Sequence, residues 1–459
     1  MNRFFHPSSL AVFGVADTPK NLARNIIGNS LACGFKRPIY PVGRNPGTIH
    51  GTPIITDPEA LPKGIDLAVI LVPARFVAET LHICGHKGIR HAIISTGGFR
   101  ELTDAGSPLE KDVIRAAKDN GIRFIGPNCI GVICTGSGLC TPFNPMQPRR
   151  FKKGSVGLVV QSGGVTTQSA YCFSEAHVGF SKIISVGNKL DLDEIDFLRY
   201  LLQDDETDQI HMYLESIQDG SELMTLARTS KKPIVVFKSN VSRTASEIAY
   251  SHTAALSNND AVVNGALKQA GIVRVEGLHD MTVAAKALRL PPLRGDRLAV
   301  ISFSGGFSVI LGDACERYGF VCPAFPSDLM QQIEAFRRAK VIRMANPMDF
   351  GDVHDIQALV FTLEHCLALP DIDGLVISFM YEPGMFTLFG GKIGAPQQIL
   401  KFIRRLSQEF HKPITLSFFS DQEHIEEFKE LNTYPVFGDP VESVQAMRIL
   451  RDYWRAREV

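Results

Sequence analysis

Between residues 10 and 125, five short runs made almost wholly of apolar and β-branched residues, 10–14, 39–42, 67–72, 91–95 and 123–125, are separated by stretches long enough for one helix each. A strand with one wet face alternates apolar and polar residues. These runs do not alternate, so both faces must be covered, which is the pattern of parallel strands in βαβ units. The spacing predicts a doubly wound sheet with helices on both sides. A second series follows at 155–160, 181–186, 209–214, 233–238 and 273–275, and a third at 297–303, 374–378 and 413–418. With 459 residues the chain exceeds what one hydrophobic core ordinarily serves. The polar, proline-bearing stretch 141–153 and the segment 290–296 read as boundaries, giving domains at 1–140, 150–289 and 295–459.

The second and third series open alike. Leu158-Val159-Val160-Gln161-Ser162-Gly163-Gly164 echoes Val300-Ile301-Ser302-Phe303-Ser304-Gly305-Gly306, as an internal duplication of a flavodoxin-like unit would. Zero net charge gives no bulk reason to bind nucleic acid or an anionic membrane. No apolar run approaches the length of a membrane span, and nothing near Met1 resembles a signal peptide, so a cytoplasmic location is expected. The nine cysteines include no CxxC pair and no Cys/His ladder, so they read as mostly buried, reduced thiols with no metal site.

Three segments carry chemistry. In Val12-Phe13-Gly14-Val15-Ala16-Asp17 a strand turns into a polar loop ahead of a helix. A nucleotide phosphate site and a plain tight turn fit that pattern equally. The strand ends Val72-Pro73-Ala74 and Ser95-Thr96-Gly97-Gly98 point to the same sheet edge, where open parallel sheets bind ligands. In Gln161-Ser162-Gly163-Gly164 small residues at a helix start suit either phosphate binding or simple capping by Ser162. In Ser251-His252-Thr253 the imidazole is a structural group or a nucleophile. A nucleophilic histidine needs its second nitrogen held by an acceptor. Glu215, a carboxylate at the end of the apolar run 209–214, is a candidate.

These segments, with Gly126-Pro127-Asn128-Cys129, Gly187-Asn188-Lys189 and Asp191-Leu192-Asp193-Glu194, follow one order along nearly the whole chain. As a set they resemble the α subunits of ADP-forming (NDP-forming) acyl-CoA synthetases, in the succinyl-CoA synthetase superfamily. The resemblance implies a Rossmann-like CoA-binding domain followed by two flavodoxin-like domains. It implies that Gly14, Val15, Ala16, Lys36, Val72, Pro73 and Ala74 line the path of coenzyme A, with Asn128 and Cys129 near its thiol. Ser162, Gly163 and Gly164 would hold phosphate, His252 would be phosphorylated, and Glu215 would orient it. It further implies ATP or ADP with Mg on an ATP-grasp β subunit, in a heterotetramer.

The chain departs from that pattern in three places. Ala254 stands where a glycine usually follows His-Thr. Gly43-Arg44-Asn45 replaces a basic Asn-Pro-Lys, so Arg44 takes over the charge facing CoA. Asn240-Val241-Ser242-Arg243 replaces Gly-Arg-Ser. A CoA-binding scaffold without turnover, or an acyl or carbamoyl transferase without a phosphohistidine, are the competing readings. Ser304-Gly305-Gly306 reads as structural, since no companion histidine follows it.

Overall fold

The computed structural model describes residues 1–99, 108–245, 259–336, 344–351, 353, 355–381 and 396–457. It forms two compact units, Met1–Leu278 and His279–Val459.

The first unit holds two main sheets. Strands β1 (Leu10–Phe13), β2 (Ile39–Val42), β5 (Leu67–Ile70), β6 (His91–Ile94) and β7 (Arg123–Ile125) form a parallel sheet in the order β2-β1-β5-β6-β7. The short β3 (Thr48–Ile49) and β4 (Thr52–Pro53) pair separately. Helices α1 (Leu22–Cys33), α2 (Val77–His86) and α3 (Pro108–Asp119) make the crossovers. Every residue of β1 and β5 is at most 4% exposed, as the unbroken apolar runs require.

The second sheet has the order β14-β13-β12-β10-β11-β8-β9. Its strands are β8 (Val132–Cys134), β9 (Leu139–Cys140), β10 (Lys153–Val160), β11 (Phe180–Ser185), β12 (Gln209–Leu214), β13 (Ile234–Lys238) and β14 (Val273–Val275). The helices are α4 (Gly163–Glu175), α5 (Glu194–Gln203), α6 (Gly220–Thr229) and α7 (Asp260–Gln269). Residues 132–140, counted from sequence with the first domain, pair here instead, β8 running antiparallel to β11. The stretch after them is no loose linker. Asn29 donates to the carbonyls of Pro142 (2.7 Å) and Asn144 (2.8 Å), and Asn25 to that of Phe143 (2.9 Å), fixing it along α1.

In the second unit β15 (Leu298–Ser302), β16 (Met348–Asp349), β17 (Gly374–Met380) and β18 (Ile414–Phe419) form a parallel sheet, β16-β15-β17-β18. Helices α8 (Leu278–Ala287), α9 (Gly305–Arg317), α10 (Ser327–Glu334), α11 (Ile356–Ala368), α12 (Pro396–Glu409), α13 (Gln422–Leu431) and α14 (Pro440–Arg455) accompany it. The Asn346 side chain binds the backbone of Val300, Leu298 and Pro323, so the Asn346-Pro347 segment braces β15. Ser304-Gly305-Gly306 opens α9, the echo of Ser162-Gly163-Gly164 opening α4. Counting the parallel strands of each sheet in chain order, all three sheets follow 2-1-3-4, the flavodoxin-like order, which places a crevice between the first and third strands.

His211, at the centre of β12, is wholly buried against Phe173, and burial drives its imidazole down to about 3 from an ordinary 6.5. The unfolded chain therefore binds a proton below pH 6.5 that the folded chain refuses. The stabilisation is complete above 6.5 and drains away as pH falls toward 3, reaching about 2 kcal/mol lost at pH 5. Urea unfolding of the first unit at pH 7.5 and 5.0 should show this loss in the wild type and a smaller one in His211→Gln. An equal loss in both would contradict it.

Candidate functional site

Residues 187–192, the Gly-Asn-Lys stretch and its sequel, turn against the segment that ends β7 and bridge it once, in parallel, between Leu192 and Ile125. The amides of Asn188, Leu190 and Leu192 donate to the carbonyls of Pro127 (2.9 Å), Gly126 (3.1 Å) and Phe124 (3.2 Å). Asp191 accepts both Nε of Arg123 (2.9 Å) and the Phe124 amide (2.7 Å). A side chain at Gly187 would meet the Pro127 carbonyl at 2.3 Å, so the close approach needs glycine there. Asp193 and Asp196 then close a capping box on α5. This seam joins the two sheets of the first unit, and their carboxyl edges share a cavity of about 610 Å³. Ser95, Asn128 and Cys129 line it from one side, and Gln161, Ser162, Gly163, Gly164, Asn188, Glu215 and Asn240 from the other.

The cavity floor is the crevice between β10 and β12. Gln161 ends β10, and its Oε1 accepts the amides of Glu215 (2.9 Å) and Ser216 (3.0 Å), while its Nε2 donates to Ser216 Oγ (3.2 Å). Lys189, 6% exposed, donates to the Ser216 carbonyl (3.0 Å) and pairs with buried Glu194 at 2.9 Å. Glu194 in turn accepts the Gln218 amide (2.7 Å). From the far side Lys238 donates to the Glu215 carbonyl (2.9 Å), and burial pushes its ammonium down to about 8. Two lysines and a glutamine thus pin the backbone that presents Glu215. Gln161 and Lys189 stood in the recognised motifs without a role, because their partners lie far away in sequence.

Ser162 caps α4, accepting the Val165 amide at 3.4 Å. The first amides of a helix have no acceptor within it, so those of Gly163 and Gly164 carry donor capacity and positive dipole to the cavity wall. Among the described residues, a side chain at Gly164 would meet nothing within 4 Å; one at Gly163 would meet Ile130 at 2.9 Å. Asn128, at φ +56°, is held by its amide on the Thr96 carbonyl (2.9 Å), and its side chain donates to Asn188 (3.3 Å). Cys129 is 2% exposed with its thiol pushed up to about 12 by burial, so it packs as a neutral group. His252 and Ala254 lie outside the described residues.

At the edge of the first sheet the turn after β1 differs from the expectation. The amides of Gly14 and Val15 both donate to the Val42 carbonyl (3.0 Å each), leaving neither for a phosphate. Gly14, at φ +91°, is required because a side chain would strike the Leu71 carbonyl at 2.0 Å, a neighbouring strand rather than a ligand. Val15 is buried in the core, whereas Ala16 is partly exposed. Lys36 follows α1 and precedes β2, which places it at the amino edge of the sheet, opposite the strand ends. Val72, Pro73 and Ala74 do lie at the carboxyl edge, beside a pair of cations. The guanidiniums of Arg44 and Arg75 lie 4.5 and 4.8 Å from the Phe76 ring centre. Arg75 was not singled out from sequence, though it directly follows Val72-Pro73-Ala74.

Residues 8–135 match a CoA binding domain, and residues 153–288 a succinyl-CoA ligase like flavodoxin domain. The chain is 30% identical over 446 residues to the acetate–CoA ligase [ADP-forming] II subunit alpha of Pyrococcus furiosus, covering 96% of this chain and 95% of the relative. It is 36% identical over 332 residues to acetate–CoA ligase [ADP-forming] II of Archaeoglobus fulgidus, covering 72% of this chain and 49% of that longer relative. Among solved structures it is similar to the dinucleotide forming acetyl-coenzyme A synthetase 1 of Candidatus Korarchaeum cryptofilum, in complex with phosphate and ADP, at a TM-score of 0.84 and 29% identity, covering 100% of this chain and 97% of that one. No helix among the described residues is long and apolar enough to cross a membrane. With 30% identity over 96% of this chain and 95% of the Pyrococcus subunit, the chain belongs to the α subunits of ADP-forming acyl-CoA synthetases.

Proposed function

We propose that this chain, with a partner, interconverts acyl-CoA, phosphate and ADP with a carboxylic acid, CoA and ATP. The observation that supports it is the meeting, in one cavity, of an anion-seeking helix start and a braced carboxylate. Phosphate at the Gly163 and Gly164 amides attacks the thioester carbonyl; the C–O bond forms, the C–S bond breaks, and CoA leaves as its thiol. The Nδ2 of Asn128 and the helix dipole face the oxygens on which charge develops. His252 then takes the phosphoryl group from the acyl phosphate, releasing the carboxylate. Glu215, accepting a hydrogen bond from the other ring nitrogen, holds the tautomer that keeps the attacking lone pair. Phosphohistidine finally passes its phosphoryl group to ADP, giving ATP and regenerating the imidazole.

In this reading Val72, Pro73 and Ala74 supply an apolar border for the pantetheine arm of CoA, and Arg44 with Arg75 the charge for its phosphates. The ADP and Mg belong to an ATP-grasp β subunit, in a heterotetramer, because no Walker-type glycine loop occurs in the chain. That the match covers 72% of this chain but only 49% of the Archaeoglobus relative, which is therefore about one and a half times as long, fits a further portion fused to this one. The division into 1–140, 150–289 and 295–459 follows the same scheme, with CoA, phosphohistidine and a second flavodoxin-like domain in turn, except that the strands within 132–140 go with the second sheet. A cytoplasmic location accords with the free cysteines.

Two experiments decide. With an ATP-grasp partner, Mg and labelled ATP, the chain should acquire acid-labile, base-stable label that His252→Ala abolishes. Label surviving in that variant, or none at all with a competent partner, overturns the assignment. Gly164→Ala adds a methyl that meets no atom of the described residues within 4 Å, so the thermal midpoint should hold while the KM for phosphate rises at least about tenfold, the equivalent of 1.4 kcal/mol. An unchanged KM would remove phosphate from that helix start.

A further inference from the structure

Away from the cavity, the amino-terminal segment brings three metal-ligating atoms together. His6 Nε2 lies 3.9 Å from Cys134 Sγ and 3.5 Å from Glu206 Oε2, and all three ligand atoms fall within 4.8 Å of one another. Tetrahedral zinc at ordinary bond lengths separates sulfur from nitrogen by about 3.6 Å, and nitrogen from oxygen by about 3.4 Å. The triad already stands close to that spacing, with soft, borderline and hard donors of the kind zinc accepts. Cys134 is fully buried and His6 and Glu206 are about one-third exposed, so an ion enters from their side and keeps water as its fourth ligand.

The surroundings hold the three in place. Ser137 Oγ donates to the Phe5 carbonyl (2.6 Å), and the Phe5 ring stacks on Tyr200 at 4.8 Å, which fixes the chain one residue before His6. A side chain at Gly136 would meet Glu206 Oε1 at 2.6 Å, so the carboxylate occupies space that only glycine leaves. Lys182, the cation of the group, pairs with Asp204 (2.8 Å) and Glu206 Oε2 (2.6 Å). It takes one lone pair of that oxygen, and the carboxylate has others. A thiolate formed at Cys134 would add a negative charge beside the Glu206 carboxylate, which a divalent ion offsets.

We propose that His6, Cys134 and Glu206 bind one zinc-class divalent ion, which clasps the amino terminus to the seven-stranded sheet. The ion replaces the Cys134 thiol proton, which passes to solvent, as a metal–sulfur bond forms. Cobalt(II) titrated into the purified, metal-free chain reports the site. One equivalent should give tetrahedral d–d bands with thiolate-to-cobalt charge transfer, and zinc should bleach both. Cys134→Ser should remove the charge-transfer band. His6→Gln, at a partly exposed position and with the thiol intact, should weaken cobalt binding at least about tenfold. The proposal is overturned if the wild type shows only the spectrum of hydrated cobalt, if the band persists in Cys134→Ser, or if His6→Gln binds as tightly as the wild type. Should Cys134→Ser fail to fold, the His6→Gln titration decides alone.

Discussion

One buried carboxamide organises the site. Gln161 stands where β10 ends and α4 begins, and its oxygen takes the two amides that turn the chain after β12. An amide left unpaired there would cost about 1–3 kcal/mol, so the hold is firm. Because the next residue, Ser162, caps α4, the glycine amides and Glu215 are set by the same few atoms. Lys189 and Lys238 extend the brace from either side. Lys189 carries its charge into the interior only because Glu194 meets it there; loss of either partner would strand the other, a change of about 3–5 kcal/mol.

The brace would serve little without the seam. Residues 187–192 hydrogen-bond to the chain at and just after β7 while leading from β11 to α5 of the second sheet. That double membership sets the carboxyl edges of both sheets around one volume, where a ligand held by the first meets groups held by the second. A thioester has a long carrier and a small reacting end, and such a division of labour suits it. The family to which the chain belongs acts on molecules of that kind.

Much of this was legible in the residues. Strands buried on both faces announce themselves as unbroken apolar runs, and β1 and β5, buried throughout, begin where those runs begin. What lacked that mark was missed: β8 and β9 are two or three residues long and antiparallel, in a stretch that reads as a domain end. Lys36 was named through the family resemblance, and the sequence did not show that twelve helical residues carry the chain across the sheet between it and the glycine turn. Gly14 was left open between a tight turn and a phosphate site, and the close approach of the Leu71 carbonyl by itself accounts for the glycine, since strand packing imposes the same demand as a phosphate. The Gln161 brace spans 54 residues and the His6–Cys134 contact 128, and no local pattern records either.

The central claim is that Gln161 works through Glu215 rather than beside it. A double-mutant cycle on the single-turnover rate of phosphoryl transfer to the chain, using Gln161→Met, Glu215→Gln and both together, measures that coupling directly. If the brace acts as described, the double variant is no slower than the slower single one, because the carboxylate's contribution is already lost once its support is gone. If the two losses multiply, Gln161 and Glu215 act independently and the account of the site is wrong.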